Sequence, residues 1–142
     1  MKQIYLIGSL RNLEIPKVAA SLRKYGFKVF DDWWSASPDA DDWWQEHERG
    51  KGKTYHEALN GPHADCVFNF DLKHIEASDI GVLVLPAGKS GHLELGYMIG
   101  RGKPGYILFD KEPERYDVMY KFAKDVFFDV DKLGETLAKN QS

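Results

Sequence analysis

The chain has 142 residues, a length typical of one domain with a sizeable hydrophobic core. Hydrophobic residues make up 43% and charged residues 29%, as in an ordinary globular protein, and no apolar run approaches the roughly 18 residues of a membrane helix. The net charge of -3 offers no basic face for nucleic acid, so we expect neither nucleic-acid nor membrane binding.

The cysteine and histidine content argues against disulfides and metal sites. Cys66 is the single cysteine, which excludes an internal disulfide and a cysteine-based zinc site. The histidines show no metal-ligand spacing with one another: His47, His56, His63 and His74. The first residues lead into a strand without a signal-peptide pattern. We therefore expect a cytoplasmic protein that uses no metal and no organic cofactor.

Short apolar runs alternate with helical spacing along the chain. Strands are predicted at residues 4–7, 27–30, 80–85, 105–109 and 126–128. Helices are predicted at residues 16–25, 54–59, 62–78, 90–101, 114–124 and 132–139. The apolar face of the third predicted helix consists of Ala64, Phe68, Leu72 and Ile75. Because right-handed crossovers join parallel strands, this alternation predicts a single α/β domain over residues 1–142, with a flavodoxin-like doubly wound parallel sheet of five strands in the order 2-1-3-4-5.

Residues 31–53 interrupt the alternation and contain all four tryptophans: Trp33, Trp34, Trp43 and Trp44. A segment of this length in a compact domain is usually functional or disordered, and the tryptophans argue against disorder. We interpret it as a Trp-rich insertion that forms a lid or wall over a site. Its tryptophans are either a small satellite core or stacking surfaces for a flat base.

The stretch after the third predicted strand carries the strongest functional signal. Gly88 and Gly91 allow a sharp turn, Ser90 is a candidate helix cap, and Glu94 is expected in the first helical turn. Open α/β sheets bind ligands at this carboxyl edge. Glu94 is therefore either a nucleophile or general base, or an acidic residue that the helix dipole favours.

A phosphate-binding P-loop is not supported here, because position 83 is Leu where that motif needs Gly. The weaker alternatives at the start of this helix are an anion held by backbone amides near Ser90 and Gly91, and a plain cap and turn. His92 is interpreted as a surface or loop-packing residue. The predicted sheet order places the Gly8–Ser9 loop beside this helix start, so both loops face one crevice.

Four segments occur in a recognisable order: Ile4–Ser9, Asn69–Leu72 with Ser78–Asp79, Gly91–Tyr97 and Gly102–Pro104. In order and spacing, across about residues 2–109, they resemble the nucleoside 2-deoxyribosyltransferase family, which includes the 2′-deoxynucleoside 5′-phosphate N-hydrolases. The resemblance implies that Glu94 attacks the anomeric carbon of the deoxyribose. It further implies that Tyr5 holds this carboxylate and that Asp71 protonates the departing base. Without the resemblance, Asp71 would be interpreted as a solvated helix residue and Tyr5 as core.

The chain also departs from the pattern of that family. The transferases carry an Asp about six residues before the nucleophile, bound to the sugar 5′-hydroxyl, whereas this chain has Gly88 there. Gly8, Ser9 and Arg11 resemble the opening of the branch that accepts phosphate, and Arg11 is a candidate partner for a 5′-phosphate. The resemblance also implies a homodimer or higher homo-oligomer, because family sites are completed by a neighbouring subunit.

The leading hypothesis is an enzyme that cleaves the N-glycosidic bond of a 2′-deoxynucleoside or its 5′-monophosphate through a covalent glycosyl-enzyme at Glu94. A nucleotide-binding or sensing module without turnover is the alternative, since the transferase-type Asp is missing. A weaker alternative is an interaction protein that uses the tryptophans as a docking patch.

Overall fold

The computed structural model describes residues 1–36 and 38–140. In chain order the strands and α-helices are β1 (Gln3–Ile7), α1 (Ile15–Lys24), β2 (Lys28–Phe30), α2 (Ala40–Gly50), α3 (Tyr55–Leu59), α4 (Pro62–Ala77), β3 (Ile80–Val84), α5 (Lys89–Gly100), β4 (Gly105–Leu108), β5 (Asp125–Phe127) and α6 (Val130–Lys139). Two short 3₁₀ helices cover Asp32–Ala36 and Val118–Phe122. Residue 37 of the predicted Trp-rich segment and residues 141–142 of the predicted domain lie outside the described residues.

The sheet has five parallel strands in the order β2-β1-β3-β4-β5. Its register pairs Ile4 with Ile80 and Gly81 with Gly105. Parallel strands need crossover connections, and here helices supply them on both faces. The predicted flavodoxin-like doubly wound architecture is therefore confirmed, including the strand order.

Both faces of the sheet are buried, because successive side chains of each strand point to opposite sides. Ile4 and Leu6 pack with α1 and α6 in one hydrophobic cluster. Tyr5 and Ile7 pack on the other face, in a cluster that includes residues from α4 and α5. This second face, between α4 and α5, is where the predicted catalytic residues lie.

Two paired glycines allow α5 to lie close to the sheet. A Cβ on Gly81 would lie 2.9 Å from Met98 Sδ, and a Cβ on Gly105 would lie 2.8 Å from Leu95 Cδ1. Both contacts are closer than ordinary packing permits, so a larger residue at either strand position would push the helix outwards. The glycine pair therefore sets the distance between the central strands and the helix that carries Glu94.

The helix predicted at residues 114–124 is wrong, because only Val118–Phe122 is helical and it is a 3₁₀ helix. Asp117 caps it by accepting a hydrogen bond from the Met119 amide at 2.9 Å. Val118, Met119 and Phe122 are 72%, 57% and 67% exposed. A helix this short depends on an apolar face packed on the core, and in this segment only Tyr120 and Ala123 contact the core.

The predicted apolar face of α4 is buried only at one end. Ile75 is the one buried residue of the helix, whereas Phe68 is 64% exposed. The helix of 16 residues is about 24 Å long, while the five residues of β1 span only about 16 Å. The first turns of α4 therefore have no strand beneath them. None of the helices in the described part of the chain has the length and apolar character needed to cross a membrane.

Two helical glycines are expected to respond to alanine with opposite signs. A Cβ on Gly134 would lie 2.4 Å from the Tyr25 ring, whereas a Cβ on Gly100 meets no atom within 4 Å. Gly134→Ala should therefore lower the free energy of unfolding by about 1–3 kcal/mol through overpacking. Gly100→Ala should raise it by up to ~1 kcal/mol through helix propensity. Urea unfolding of both variants measures this, and equal effects would contradict the packing of α1 against α6.

Candidate active site

Three separate elements bring Tyr5, Asp71 and Glu94 together on the α4–α5 face of the sheet. Tyr5 is the middle residue of β1 and is 1% exposed. Glu94 and Asp71 come from α5 and α4 and are both partly buried. Residues at positions 5, 71 and 94 are thus adjacent only because β1 and β3 are neighbours and both helices cross the same face.

The start of α5 differs from the prediction in two respects. Gly88, not Ser90, is the N-cap residue, and Ser90 lies inside the first turn. Glu94 is the sixth residue of the helix and so lies beyond the first turn, where no acidic residue is found. Because the effect of the helix dipole decays within one turn, it does not explain a glutamate at this position.

The Tyr5 hydroxyl donates a hydrogen bond to Glu94 Oε2 at 3.2 Å. This contact joins the central strand to α5 across the core. Burial is the main cause that raises the pKa of Tyr5, and the negative charges of Glu94 and Asp71 raise it further. Tyr5 therefore stays protonated and acts as a fixed hydrogen-bond donor to the carboxylate.

Both carboxyl groups have pKa values above their ordinary range. Burial raises the pKa of Glu94 to about 7, the charge of Asp71 adds to the shift, and the Tyr5 hydrogen bond opposes it. Burial also raises the pKa of Asp71, while the charge of His74 opposes that shift. The Glu94 shift includes the negative charge of Asp71, so it applies when Asp71 is already ionised. The pKa near 7 therefore describes the release of the second of the two protons that the pair can hold.

Neither Glu94 nor Asp71 forms an ion pair with Lys or Arg in the described part of the chain, and His74 is the one positive group that acts on Asp71. A structural buried carboxylate is normally paired with Lys or Arg. Two partly buried carboxyls that lack such a partner are typical of acid–base or nucleophilic sites. Residues 1–36 and 38–140 also contain no group of three or more His, Cys, Asp or Glu suited to hold a metal ion.

An aromatic stack lies beside the carboxyl pair. The Phe30 ring stacks on Tyr5 with centroids 5.4 Å apart and on His74 with centroids 4.0 Å apart. Phe70 meets the His74 ring edge-on at 4.7 Å. These rings exclude water from one side of the site, which explains why burial dominates the pKa shifts.

Sequence analysis did not identify Phe30 or His74 as site residues. The available signal for His74 was its position three residues after Asp71, which places both on one side of a helix. No local pattern marks Phe30, because its proximity to the site depends on the pairing of β2 with β1.

The loop after β1 contains three predicted substrate-binding residues. A Cβ on Gly8 would lie 2.7 Å from Ile15 Cδ1 and 3.4 Å from the Val84 carbonyl, so the loop passes close to the end of β3. The Ser9 hydroxyl accepts a hydrogen bond from the Arg11 amide at 3.1 Å. The Arg11 guanidinium forms an ion pair with Asp42 of α2 at 3.3 Å, a partner that the sequence did not predict.

Trp33 and Trp34 attach the Trp-rich segment to the β1 loop. The Trp33 indole donates a hydrogen bond to the Leu6 carbonyl at 2.7 Å, and the Trp34 indole donates to the Asn12 carbonyl at 2.9 Å. Both rings also pack against the buried core. In contrast, Trp43 is 56% exposed. For Trp33 and Trp34, the structure therefore favours the satellite-core interpretation.

The remaining predicted residues lie at the start of α5. A Cβ on Gly91 would lie 3.0 Å from Leu83 Cδ1, so this glycine allows close packing on β3. His92 Nδ1 is 2.8 Å from the Gly88 carbonyl, and Nε2 is 2.7 Å from the Tyr120 hydroxyl. The carbonyl can only accept, so Nδ1 carries a proton and neutral His92 accepts from Tyr120. His92 thus ties the helix start to the second 3₁₀ helix.

A cavity of about 660 Å³ lies near His92, and neither Glu94 nor Asp71 lines it. Its walls include His92, Phe109, Lys111, Arg115, Tyr116 and Tyr120. Residues 92 and 94 point about 200° apart around the helix axis. The carboxyl pair and this cavity are therefore separate features on two sides of α5.

The pKa of Glu94 should move in opposite directions when its two neighbours are changed. Asp71→Asn removes a nearby negative charge and should lower the pKa of Glu94 from about 7. Tyr5→Phe removes the hydrogen bond that favours the ionised form and should raise that pKa. Carboxyl-carbon NMR titration of labelled glutamate measures both shifts. The matched control is Asp65→Asn, which removes an exposed carboxylate from α4, the helix of Asp71, and should leave the pKa of Glu94 unchanged. Unchanged midpoints in both variants would contradict the cluster.

Comparison with known proteins identifies solved structures that share this fold. No protein-family model matches the sequence, and no curated protein matches it. A 2-deoxyribosyltransferase from Bacillus psychrosaccharolyticus shares 21% identity at a TM-score of 0.65, with 93% of this chain and 90% of that chain covered. The CMP N-glycosidase BcmB from Clostridium botulinum shares 14% identity at a TM-score of 0.55, with 96% and 98% covered.

A conserved protein from Enterococcus faecalis V583 is also similar, with 15% identity, a TM-score of 0.65 and coverage of 100% of this chain and 99% of that chain. At these identities the comparisons establish the fold. The resemblance found in four short segments therefore extends to the tertiary structure: this chain has the same fold as a 2-deoxyribosyltransferase and a CMP N-glycosidase.

Proposed function

We propose that this protein cleaves the N-glycosidic bond of a 2′-deoxynucleoside or a 2′-deoxynucleoside 5′-monophosphate, and releases or exchanges the base. The observation that carries the proposal is the environment of the Glu94 carboxyl. It accepts a hydrogen bond from the Tyr5 hydroxyl at 3.2 Å, and the charge of Asp71 raises its pKa. The fold shared with proteins named as a 2-deoxyribosyltransferase and a CMP N-glycosidase supports the same class of chemistry.

In the proposed reaction, ionised Glu94 attacks C1′ of the sugar while the bond from C1′ to the base breaks. The transition state carries positive charge on the sugar, which a carboxylate stabilises before it forms the covalent ester. Asp71 transfers its proton to the departing base. Water or a second base then attacks C1′ and gives a proton back to Asp71, while the bond from C1′ to Glu94 breaks and frees the carboxylate. Water yields hydrolysis, and a second base yields transfer.

Tyr5 determines how the pair shares its proton in this proposal. The reaction needs the proton on Asp71 and the charge on Glu94. The Tyr5 hydroxyl donates to Glu94 and has no comparable bond to Asp71 among the described residues, so it favours this arrangement. Burial raises the pKa of Asp71, which makes its protonated form easier to hold than that of an exposed aspartate.

We place the sugar and its 5′ group between the β1 loop and the start of α5. The proposed contacts are Gly8, Ser9, Arg11, Gly88, Ser90 and Gly91, with Trp33 and Trp34 beside the β1 loop. The predicted contact His92 is left out of this set, because its side chain faces Tyr120 on the other side of α5. No carboxylate follows β3 in this loop, so nothing there repels a 5′-phosphate. A cytoplasmic location stays a prediction from the sequence.

Loss of the Glu94 carboxyl should abolish turnover. Glu94→Gln and Glu94→Ala should each lower kcat by at least ~10³-fold, because the proposed ester forms on the Glu94 carboxylate. Asp71→Asn should lower it by about 10²–10⁴-fold. Base release is measured by chromatography with deoxynucleosides, their 5′-monophosphates and CMP, each with and without a second free base. Intact-protein mass spectrometry of quenched reactions should detect the glycosyl adduct on the wild type.

The matched control is Glu135→Gln, an exposed change on α6 at the opposite face of the sheet, which should retain the wild-type rate. A Glu94→Ala variant that keeps that rate would remove Glu94 from the mechanism. Tight nucleotide binding by the wild type with no base release over hours would favour the binding-module alternative instead.

We also propose that the protein is a homo-oligomer. The apolar side chains that lack cover on α4 and α5 are Val67, Phe68, Phe70, Leu93 and Tyr97, each 42% to 75% exposed. They lie on the two helices that hold Asp71 and Glu94. The two helices are in contact with each other, and exposed apolar patches mark association surfaces.

Sedimentation velocity should show a dimer or larger species at micromolar concentration. Phe68→Asp should dissociate it, because a carboxylate in an apolar interface is costly to desolvate. Leu13→Asp, on an equally exposed apolar residue before α1, should leave the assembly intact. A wild-type monomer with full activity would contradict the proposal.

A further inference from the structure

The Asp42 side chain of α2 contacts Arg11, the residue that the sequence analysis predicts to bind a 5′-phosphate. Its carboxylate lies 3.3 Å from the Arg11 guanidinium. The contact links the first turn of α2 to the loop after β1. The cation that sequence analysis assigned to a 5′-phosphate is therefore already paired with a carboxylate in the free protein.

This ion pair can open at small cost. The Arg11 and Asp42 side chains are 60% and 61% exposed, so water solvates both ions when they separate. Exposed pairs of this kind contribute little to folding stability. The tryptophan hydrogen bonds to Leu6 and Asn12 separately attach the first 3₁₀ helix, which precedes α2, to the β1 loop. The pair is thus not needed for the fold and is free to exchange partners.

The β1 loop also contains a buried polar side chain with an unsatisfied donor. Asn12 follows Arg11 and is only 8% exposed, and its Nδ2 has no hydrogen-bond partner among the described residues. A buried amide donor is normally satisfied by protein, water or ligand. This donor lies in the same loop as Arg11, and the loop passes close to the end of β3.

We infer that Asp42 is a specificity-determining residue that competes with the substrate 5′-phosphate for Arg11. The inference rests on the proposed function and deepens it, because it concerns the choice between a nucleoside and its monophosphate. A monophosphate must displace the Asp42 carboxylate and also meets its negative charge. A nucleoside with a free 5′-hydroxyl meets neither penalty. Asp42 therefore reduces the preference of the enzyme for the monophosphate over the nucleoside.

Removal of the competing charge should increase the preference for phosphate. Asp42→Asn should raise the ratio of kcat/KM for a deoxynucleoside 5′-monophosphate over its deoxynucleoside by roughly two- to fivefold, the range expected for an exposed ion pair. Calorimetric affinity for the same monophosphate should rise by a similar factor. Inorganic phosphate should become a correspondingly better competitive inhibitor.

The matched control is Asp41→Asn, which makes the same charge change in the same helical turn, one residue away. It should leave the ratio near the wild-type value. Arg11→Gln should lower the ratio, and Asp42→Asn added to Arg11→Gln should give no further gain. A gain that persists without Arg11, or that Asp41→Asn reproduces, would overturn the competition.

The binding measurement separates this inference from the proposed function. If no variant releases base but Asp42→Asn still binds the monophosphate more tightly, the proposed reaction fails while the competition stands. If base is released and neither the kinetic ratio nor the affinity responds to Asp42→Asn, the competition fails while the reaction stands.

Discussion

The Glu94 carboxyl is partly buried and accepts a hydrogen bond from the Tyr5 hydroxyl. It forms no ion pair with any cation of the described residues. Burial of an acid without a counter-charge destabilises its ionised form, and a nearby Asp71 adds repulsion. Such an arrangement costs stability at neutral pH, since the unfolded chain would release the proton more readily. In the proposed reaction this cost has a function, because a carboxylate without a counter-charge can stabilise the positive charge of the sugar in the transition state.

The geometry of this site depends on the fit between α5 and the sheet. Gly81 and Gly105 are paired neighbours in β3 and β4, and their missing side chains leave the space that Leu95 and Met98 fill. A helix held this closely presents Glu94 to Tyr5 in β1. The same close packing explains why the carboxyl is shielded from water on the sheet side.

Much of the architecture was predictable because strongly apolar runs separated by helical spacing leave few alternatives. The five strands and their order were predicted correctly. The helix expected at residues 114–124 was not found, since Val118 and Phe122 have no core to pack against. Ser90 was predicted as a cap, but the helix begins one residue earlier at Lys89, after Gly88. These errors lie at element ends and in exposed segments, where local sequence constrains structure least.

The sequence alone determined the fold. It also predicted the loop edge at which a ligand is expected and, through family resemblance, the catalytic trio Tyr5, Asp71 and Glu94. Only the tertiary structure decided the electrostatic state of these groups, the aromatic stack of Phe30 and His74, and the pairing of Arg11 with Asp42. The physical reason is that hydrophobic periodicity encodes which face of an element is buried. The pKa of a carboxyl and the partner of a cation instead depend on residues far apart in the chain, which meet only after the sheet has assembled.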